Sequence, residues 1–350
     1  SALRFIAKAY PLRVFPKNKV LIMDKNESNI IRGMAILLMF WLHLFGSLER
    51  ASCYTNFFYY DTIYPVSLII SMACMPVQFF VFLSGYGHYA VRQHGGVDKN
   101  RYSRIIKLFI HFWVILTIFL IIACILQPER FPGSWIEVVK NYTSIWHTYN
   151  GTYWFIPLFV ALSLLSPLIF YLLDKFGTKT IFFALFVMST ISAFVAADFT
   201  DVVGNGTVFK LFNRFEMLFI FVCGAIARKH SLIEKCKEFF SNKNFMALFL
   251  LAIVVYLHIF VCQHKAFDSA YYVLALVLFA TIKKWNWLKN GLTFLGKHSL
   301  NMWLIHYWFI ILFTPYLHML KYPLVVLVVF TAANIAVSHI INYITTPLDN

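Results

Sequence analysis

The sequence predicts an all-α fold, a polytopic bundle of about ten transmembrane helices with both termini in the cytoplasm. Three observations carry this. Of the 350 residues, 60% are hydrophobic and 13% charged, about half the charged share of a soluble domain. The apolar residues gather in repeated blocks long enough to span a bilayer. Lysine and arginine crowd into alternate loops, the positive-inside pattern. Alternating ten-residue segments of the outer-membrane barrel kind do not dominate.

Taken in order, residues 1–28 form a short basic segment with Phe5, Ile6, Tyr10 and Leu12 among the charges, as in an interfacial helix. The segment lacks a small-residue cleavage site, so a removed signal peptide is not expected. Residues 29–350 form one transmembrane domain. Its spans are expected at 29–47, 66–88, 105–126, 153–173, 180–197, 212–227, 244–262, 270–282, 291–313 and 323–345. The eighth, edged by Lys265 and Asp268, is short enough to need tilting or extension at its start. No loop reaches domain size, so chemistry is expected inside the bundle or at its mouths.

The net charge of +15 is distributed by side. Arg92, Lys99, Arg101, Arg104 and Lys107 surround the link between spans two and three. Arg228, Lys229, Lys235, Lys237 and Lys243 follow span six, and Lys283, Lys284 and Lys289 follow span eight. The opposite loops are far poorer in cations. The charge therefore reports orientation and not nucleic-acid binding, with attraction to membrane lipid or an anionic cytoplasmic ligand as secondary meanings. Six cysteines form no close pair, so neither a disulfide framework nor a metal site is supported.

Ionisable residues inside spans are the candidates for function. Arg32 and His43 lie eleven positions apart in span one. That spacing puts them on one helix face, about 16 Å apart along the axis. Two readings stand: a polar path through the membrane, or two interfacial anchors. In span nine, Ser299 and His306 are seven apart, again on one face. Arg101, Arg104 and Lys107 recur every third residue and read either as a phosphate-binding ridge or as a solvated topology signal. Ser84, Gly85 and Gly87 in span two permit close helix approach. Tyr153 and Trp154 open span four as aromatic anchors or as a platform for a sugar ring; Arg214 and Glu216, near the outer end of span six, pair or line a mouth. No internal inverted repeat, phosphate loop, HExxH or GxSxG motif is present.

Several of these stretches resemble one family. IIRGMAILLMFWLHLF, with an arginine, ten residues and a histidine, is similar to the first-span signature of the acyltransferase-3 family of bacterial integral-membrane acyltransferases. FFVFLSGYGHY resembles its Ser-Gly-aromatic segment, RYSR at 101–104 its Arg-x-x-Arg motif, and TYWFIPLF and LGKHSLNMWLIHYWF its later segments. The resemblance covers nearly the whole chain. Departures are Asn29 where an acid is common, Ile31 where leucine is common, and Trp303 where tyrosine often stands.

The resemblance implies a bacterial inner-membrane enzyme that moves an acyl group, most often acetyl, from cytoplasmic acyl-coenzyme A to a hydroxyl of an envelope carbohydrate or lipid-linked glycan. It implies His43 as general base, Arg32 on the donor path, and Ser299 and His306 completing the cavity. Arg101, Arg104, Lys107 and Ser84 would hold the donor, acetyl-CoA. Trp154, Tyr153, Glu216 and Arg214 would meet the acceptor, and no metal is called for. The competing expectation is a transporter or flippase using the same polar path.

Overall fold

The computed structural model describes residues 23–93, 100–198, 207–261 and 268–348, with side chains for all of these except 100, 194–198, 207–214 and 348. The basic segment expected at 1–28 therefore lies mostly outside the described residues. Its end does not: Asp24 caps the first helix, which begins four residues earlier than the expected span. The Asp24 carboxylate accepts from the Glu27 N–H (2.7 Å) and the Glu27 carboxylate accepts from the Asp24 N–H (3.0 Å). This capping box satisfies two amides that would otherwise be orphaned.

Helix α1 (Lys25–Phe45) leads into the short α2 (Leu48–Ser52) and a two-stranded antiparallel hairpin, β1 (Tyr59–Tyr60) and β2 (Tyr64–Pro65). The second expected span is broken into α3 (Val66–Met72) and α4 (Pro76–Gln93). Pro76, which lacks an amide hydrogen, stands at the restart, where a missing donor costs nothing. Then come α5 (Asn100–Leu126), α6 (Trp135–Tyr142), α7 (Phe155–Phe176) and α8 (Thr178–Asp198). The remainder holds α9 (Thr207–Lys229), α10 (Leu232–Phe239), α11 (Asn244–Phe260), α12 (Asp268–Thr281), α13 (Asn286–His318) and α14 (Pro323–Thr345).

Six stretches among the described residues are long and apolar enough to cross a membrane: α1, α3 with α4, α5, α7 with the preceding turn, α13 and α14. The other expected spans take different forms. The fifth and eighth are represented by shorter apolar helices at 178–193 and in α12. The seventh, α11, meets α10 at a bend of 120°, and the pair counts as a seventh candidate. The sixth falls within α9. Large apolar side chains face outward along several helices, among them Ile125, Val187, Phe245 and Leu324, as lipid contact requires.

Two helix pairs form the frame. A Cβ added to Gly33 would stand 2.0 Å from the Leu292 carbonyl oxygen, and one on Gly296 would stand 2.0 Å from that of Asn29. Glycine alone lets α1 and α13 approach so closely. A second reciprocal contact joins α4 and α9, where Gly85 meets Phe221 O at 1.9 Å and Gly224 meets Phe82 O at 2.1 Å on the same measure. Gly85 thus has the packing role that its sequence context suggested, whereas Gly87 has open space around it.

An ionic staple closes one end of the second pair. Asp174 on α7 accepts from Arg92 on α4 (2.8 Å), Lys229 on α9 (2.9 Å) and the Tyr89 hydroxyl (3.1 Å). This end also carries Arg104, Lys237 and Lys284 and is called the basic end below. At the other end Trp41 donates to Ser67 O (2.8 Å), and Phe57 stacks on Tyr322.

Candidate active site

The histidines are brought together by the glycines. His43 lies ten residues after Gly33, and His306 lies ten residues after Gly296. With α1 and α13 parallel, each imidazole stands about 15 Å above the glycine contact, at the same height as the other. Their ring centres are 5.1 Å apart. Phe40 covers His306 at 5.6 Å, and Tyr307 meets the His43 ring edge-on at 5.4 Å.

The two rings have different surroundings. His306 is fully enclosed, and its Nδ1 lies 2.6 Å from the Trp303 carbonyl oxygen. A carbonyl only accepts, so Nδ1 carries the hydrogen in the neutral ring and Nε2 carries the lone pair. That Nε2 is buried with no hydrogen-bond partner. His43 is half-buried, and no described residue hydrogen-bonds its ring. Its backbone carbonyl accepts from Arg50 Nη1 (2.6 Å). His43 therefore faces accessible space, with His306 behind it.

Arg32 keeps accessible surface on α1. Arg104 of α5 is within electrostatic range of it. The three cations of α5 do not form one straight ridge, because each three-residue step rotates by about 60° around the helix. Arg101 Nη2 donates to the Tyr102 hydroxyl (3.2 Å), its guanidinium lies 4.8 Å over the Tyr102 ring, and its Nε is buried without a hydrogen-bond partner. Lys107 is exposed. Ser84 is half-buried on α4, and Ser299 is buried on α13, two turns before His306.

Sequence reasoning missed a buried polar layer nearer the basic end. His111 Nδ1 on α5 meets Asn301 Oδ1 on α13 at 2.5 Å, and Asn301 Nδ2 donates to Asn342 Oδ1 (2.8 Å) and Ser338 O (3.2 Å) on α14. His298 Nδ1 meets Ser338 Oγ at 2.9 Å, with His339 at 4.4 Å between ring centres. The signal was present as single polar residues in apolar runs, such as His111 in IIKLFIHFW. Each of these buried polar groups needs a partner, and the three helices supply one another's.

The residues expected at the acceptor end have different surroundings. Tyr153 is enclosed: its hydroxyl donates to Leu304 O (3.0 Å) and accepts from Trp308 Nε1 (2.8 Å), bracing α13. Trp154 is half-buried beside Phe155, which packs edge-on against Trp303. Glu216 is half-buried on α9, in electrostatic range of Tyr272 on α12. The Arg214 side chain lies outside the described residues.

An acyltransferase domain family, acyltransferase-3, matches residues 25–343. The chain belongs to this family. The match begins at the first residue of α1 and ends near the close of α14, so the histidine pair, the cations of α5 and the polar layer all lie inside the family domain. No curated protein and no solved structure gives a significant match. Membership in the acyltransferase-3 family identifies the chain as a membrane acyltransferase.

Proposed function

We propose that this acyltransferase moves an acetyl group from acetyl-coenzyme A to a hydroxyl of an envelope carbohydrate at the His43–His306 pair, in a bacterial inner membrane. The observation that carries this is the half-open His43 ring backed by an enclosed His306. Transfer to a hydroxyl needs a base that is neutral near pH 7, and imidazole is that base. His43 takes the proton as the acceptor oxygen attacks the thioester carbonyl. The carbon–sulfur bond then breaks, and the proton passes to the departing thiolate, giving an ester and free coenzyme A. His306 Nε2, which carries the lone pair of that ring and has no hydrogen-bond partner at rest, relays the His43 proton during transfer.

In this reading the basic end faces the cytoplasm and admits the donor. Arg104 and Arg32 meet its anionic part, with Arg101 and Lys107 at the entrance and Ser84 along the path. An oxyanion needs its donors within about 3 Å. Arg32 lies eleven residues from His43, about 16 Å along the helix, so it acts on the donor and not on the oxyanion. Ser299 lies between the two levels. Trp154, Glu216 and Arg214 remain the residues proposed for the acceptor; the acceptor platform is assigned to Trp154 in preference to the enclosed Tyr153.

Purified protein with radiolabelled acetyl-coenzyme A and membrane glycan tests the assignment. His43→Ala is expected to lower transfer by a factor of roughly 100 or more. Wild-type transfer by that variant overturns the assignment. Substrate flux without coenzyme A release would instead make the path a transporter.

A further inference from the structure

A second site is built at the basic end, on the far side of the turn that joins α12 to α13. Asn244 at the start of α11 and Lys283, Lys284, Trp285 and Asn286 at the start of α13 surround an open pocket of about 370 Å³. The Lys283 N–H donates to Asn244 Oδ1 (2.7 Å), which fixes the turn across the pocket floor. Lys284 folds back so that its Nζ donates to the Phe279 carbonyl oxygen and lies 4.0 Å over the Phe279 ring.

The charges there are out of balance. Lys237 of α10 pairs with Glu27 of α1 at 2.5 Å, so the acid that acts on Lys284 already has a cation of its own. Among the described residues neither Lys283 nor Lys284 forms an ion pair. Burial and the neighbouring Lys237 pull the Lys284 ammonium down to about 7, against the opposing effect of Glu27. A cation in that position is stabilised by an anion brought to it. The rim is aromatic and open: Trp285 is 59% exposed, Trp287 74% and Phe245 89%. Indoles in this arrangement sit at the level of lipid headgroups.

We infer that this pocket binds the phosphate of an anionic phospholipid, held between Lys283 and Lys284 with Trp285 and Trp287 in the membrane interface. The aromatic rim favours a lipid over a soluble phosphate, which needs no apolar flank. The orientation proposed above only names the leaflet; the site itself does not depend on the acyl-transfer reading.

The full chain in neutral detergent, titrated with phosphatidylglycerol or phosphatidylcholine and read by native mass spectrometry, tests this without any acyl donor. Each lysine near an anionic lipid is worth about fivefold in affinity. Lys283→Gln with Lys284→Gln should therefore weaken phosphatidylglycerol binding about 25-fold and leave phosphatidylcholine binding unchanged. Lys175→Gln with Lys179→Gln, a cationic pair elsewhere, should change neither. Trp285→Leu with Trp287→Leu, which keeps both charges, should also weaken retention, so that a poorly folding lysine variant does not decide the matter. Equal phosphatidylglycerol binding by wild type and the lysine variant overturns the inference. So does equal loss in the control pair, or displacement of the lipid by inorganic phosphate. Because the readout is bound lipid, loss of the acyl-transfer reading would leave these outcomes intact.

Discussion

The imidazoles of His43 and His306 stand 5.1 Å apart on two helices whose backbones touch through Gly33 and Gly296. The contact sets the spacing and the Trp303 carbonyl sets the tautomer of the inner ring. Position and protonation are thus controlled from separate places.

The tautomer leads to the first prediction. His306→Asn keeps a donor where Nδ1 stood and should preserve the bond to Trp303, whereas His306→Gln places its polar group nearer the Nε2 position. Transfer should fall by roughly 100-fold in the asparagine variant and less in the glutamine variant, as read by initial rates of coenzyme A release. The reverse order would mean that Nε2 has no part in proton movement.

The glycine contact yields the second. A methyl group on Gly296 or Gly33 overlaps a backbone carbonyl, and overpacking of this kind costs about 1–3 kcal/mol. Gly296→Ala should lower the melting temperature and reduce transfer even in the folded fraction. Gly291→Ala, on the same helix but with nothing within 4 Å, should be neutral or slightly stabilising.

Tyr153 gives a prediction that separates bracing from sugar stacking. Tyr153→Phe removes the hydroxyl that links Leu304 O and Trp308 Nε1. Leaving a buried donor unpaired costs about 1–3 kcal/mol. A bracing role predicts a lower melting temperature and a lower kcat with KM for the acceptor unchanged. A stacking role predicts near-normal behaviour, since the ring is retained.

The phospholipid pocket should respond to pH in a definite direction. Lys237 and Glu27 face Lys284 from α10 and α1, and Lys283 adjoins it in the turn. Lys284 is charged below about 7 and neutral above, whereas the phosphodiester of phosphatidylglycerol stays anionic throughout. Affinity should therefore be greatest on the acid side and fall as pH rises through 7, by up to about fivefold for the one charge. Titrations at pH 6 and 8.5 check this, and Lys284→Gln should abolish the difference.

Much of this architecture was legible in the sequence because a bilayer restricts the possible structures. Apolar blocks marked the helices, and His43 stood out as an ionisable residue on the face of α1 that meets α13. The equal spacing of Gly33 from His43 and of Gly296 from His306 was also present. Its meaning needed the knowledge that the two helices run parallel and in contact, which no local pattern supplies. The network of His111, Asn301 and Ser338 was invisible for the same reason: a lone polar residue does not announce which distant helix holds its partner. Tyr153 looked like an interfacial anchor because tyrosine at a span end usually is one, but the packing of α5 and α13 encloses it. The break between α3 and α4 falls at Pro76, inside a run that hydropathy averages over, whereas the bend before α11 lies just outside the expected span.

The parallel contact between α1 and α13 has a consequence for biogenesis. His43 and His306 are 263 residues apart in the chain, so α1 enters the membrane long before its partner exists. At ribosomal speeds of about 5–20 residues per second, that delay is roughly 10–50 s. During it His43 waits in the bilayer without the helix that packs against it. On the proposed assignment the His43–His306 pair is assembled only when synthesis is nearly complete, so a chain truncated before α13 would insert but would not carry out transfer.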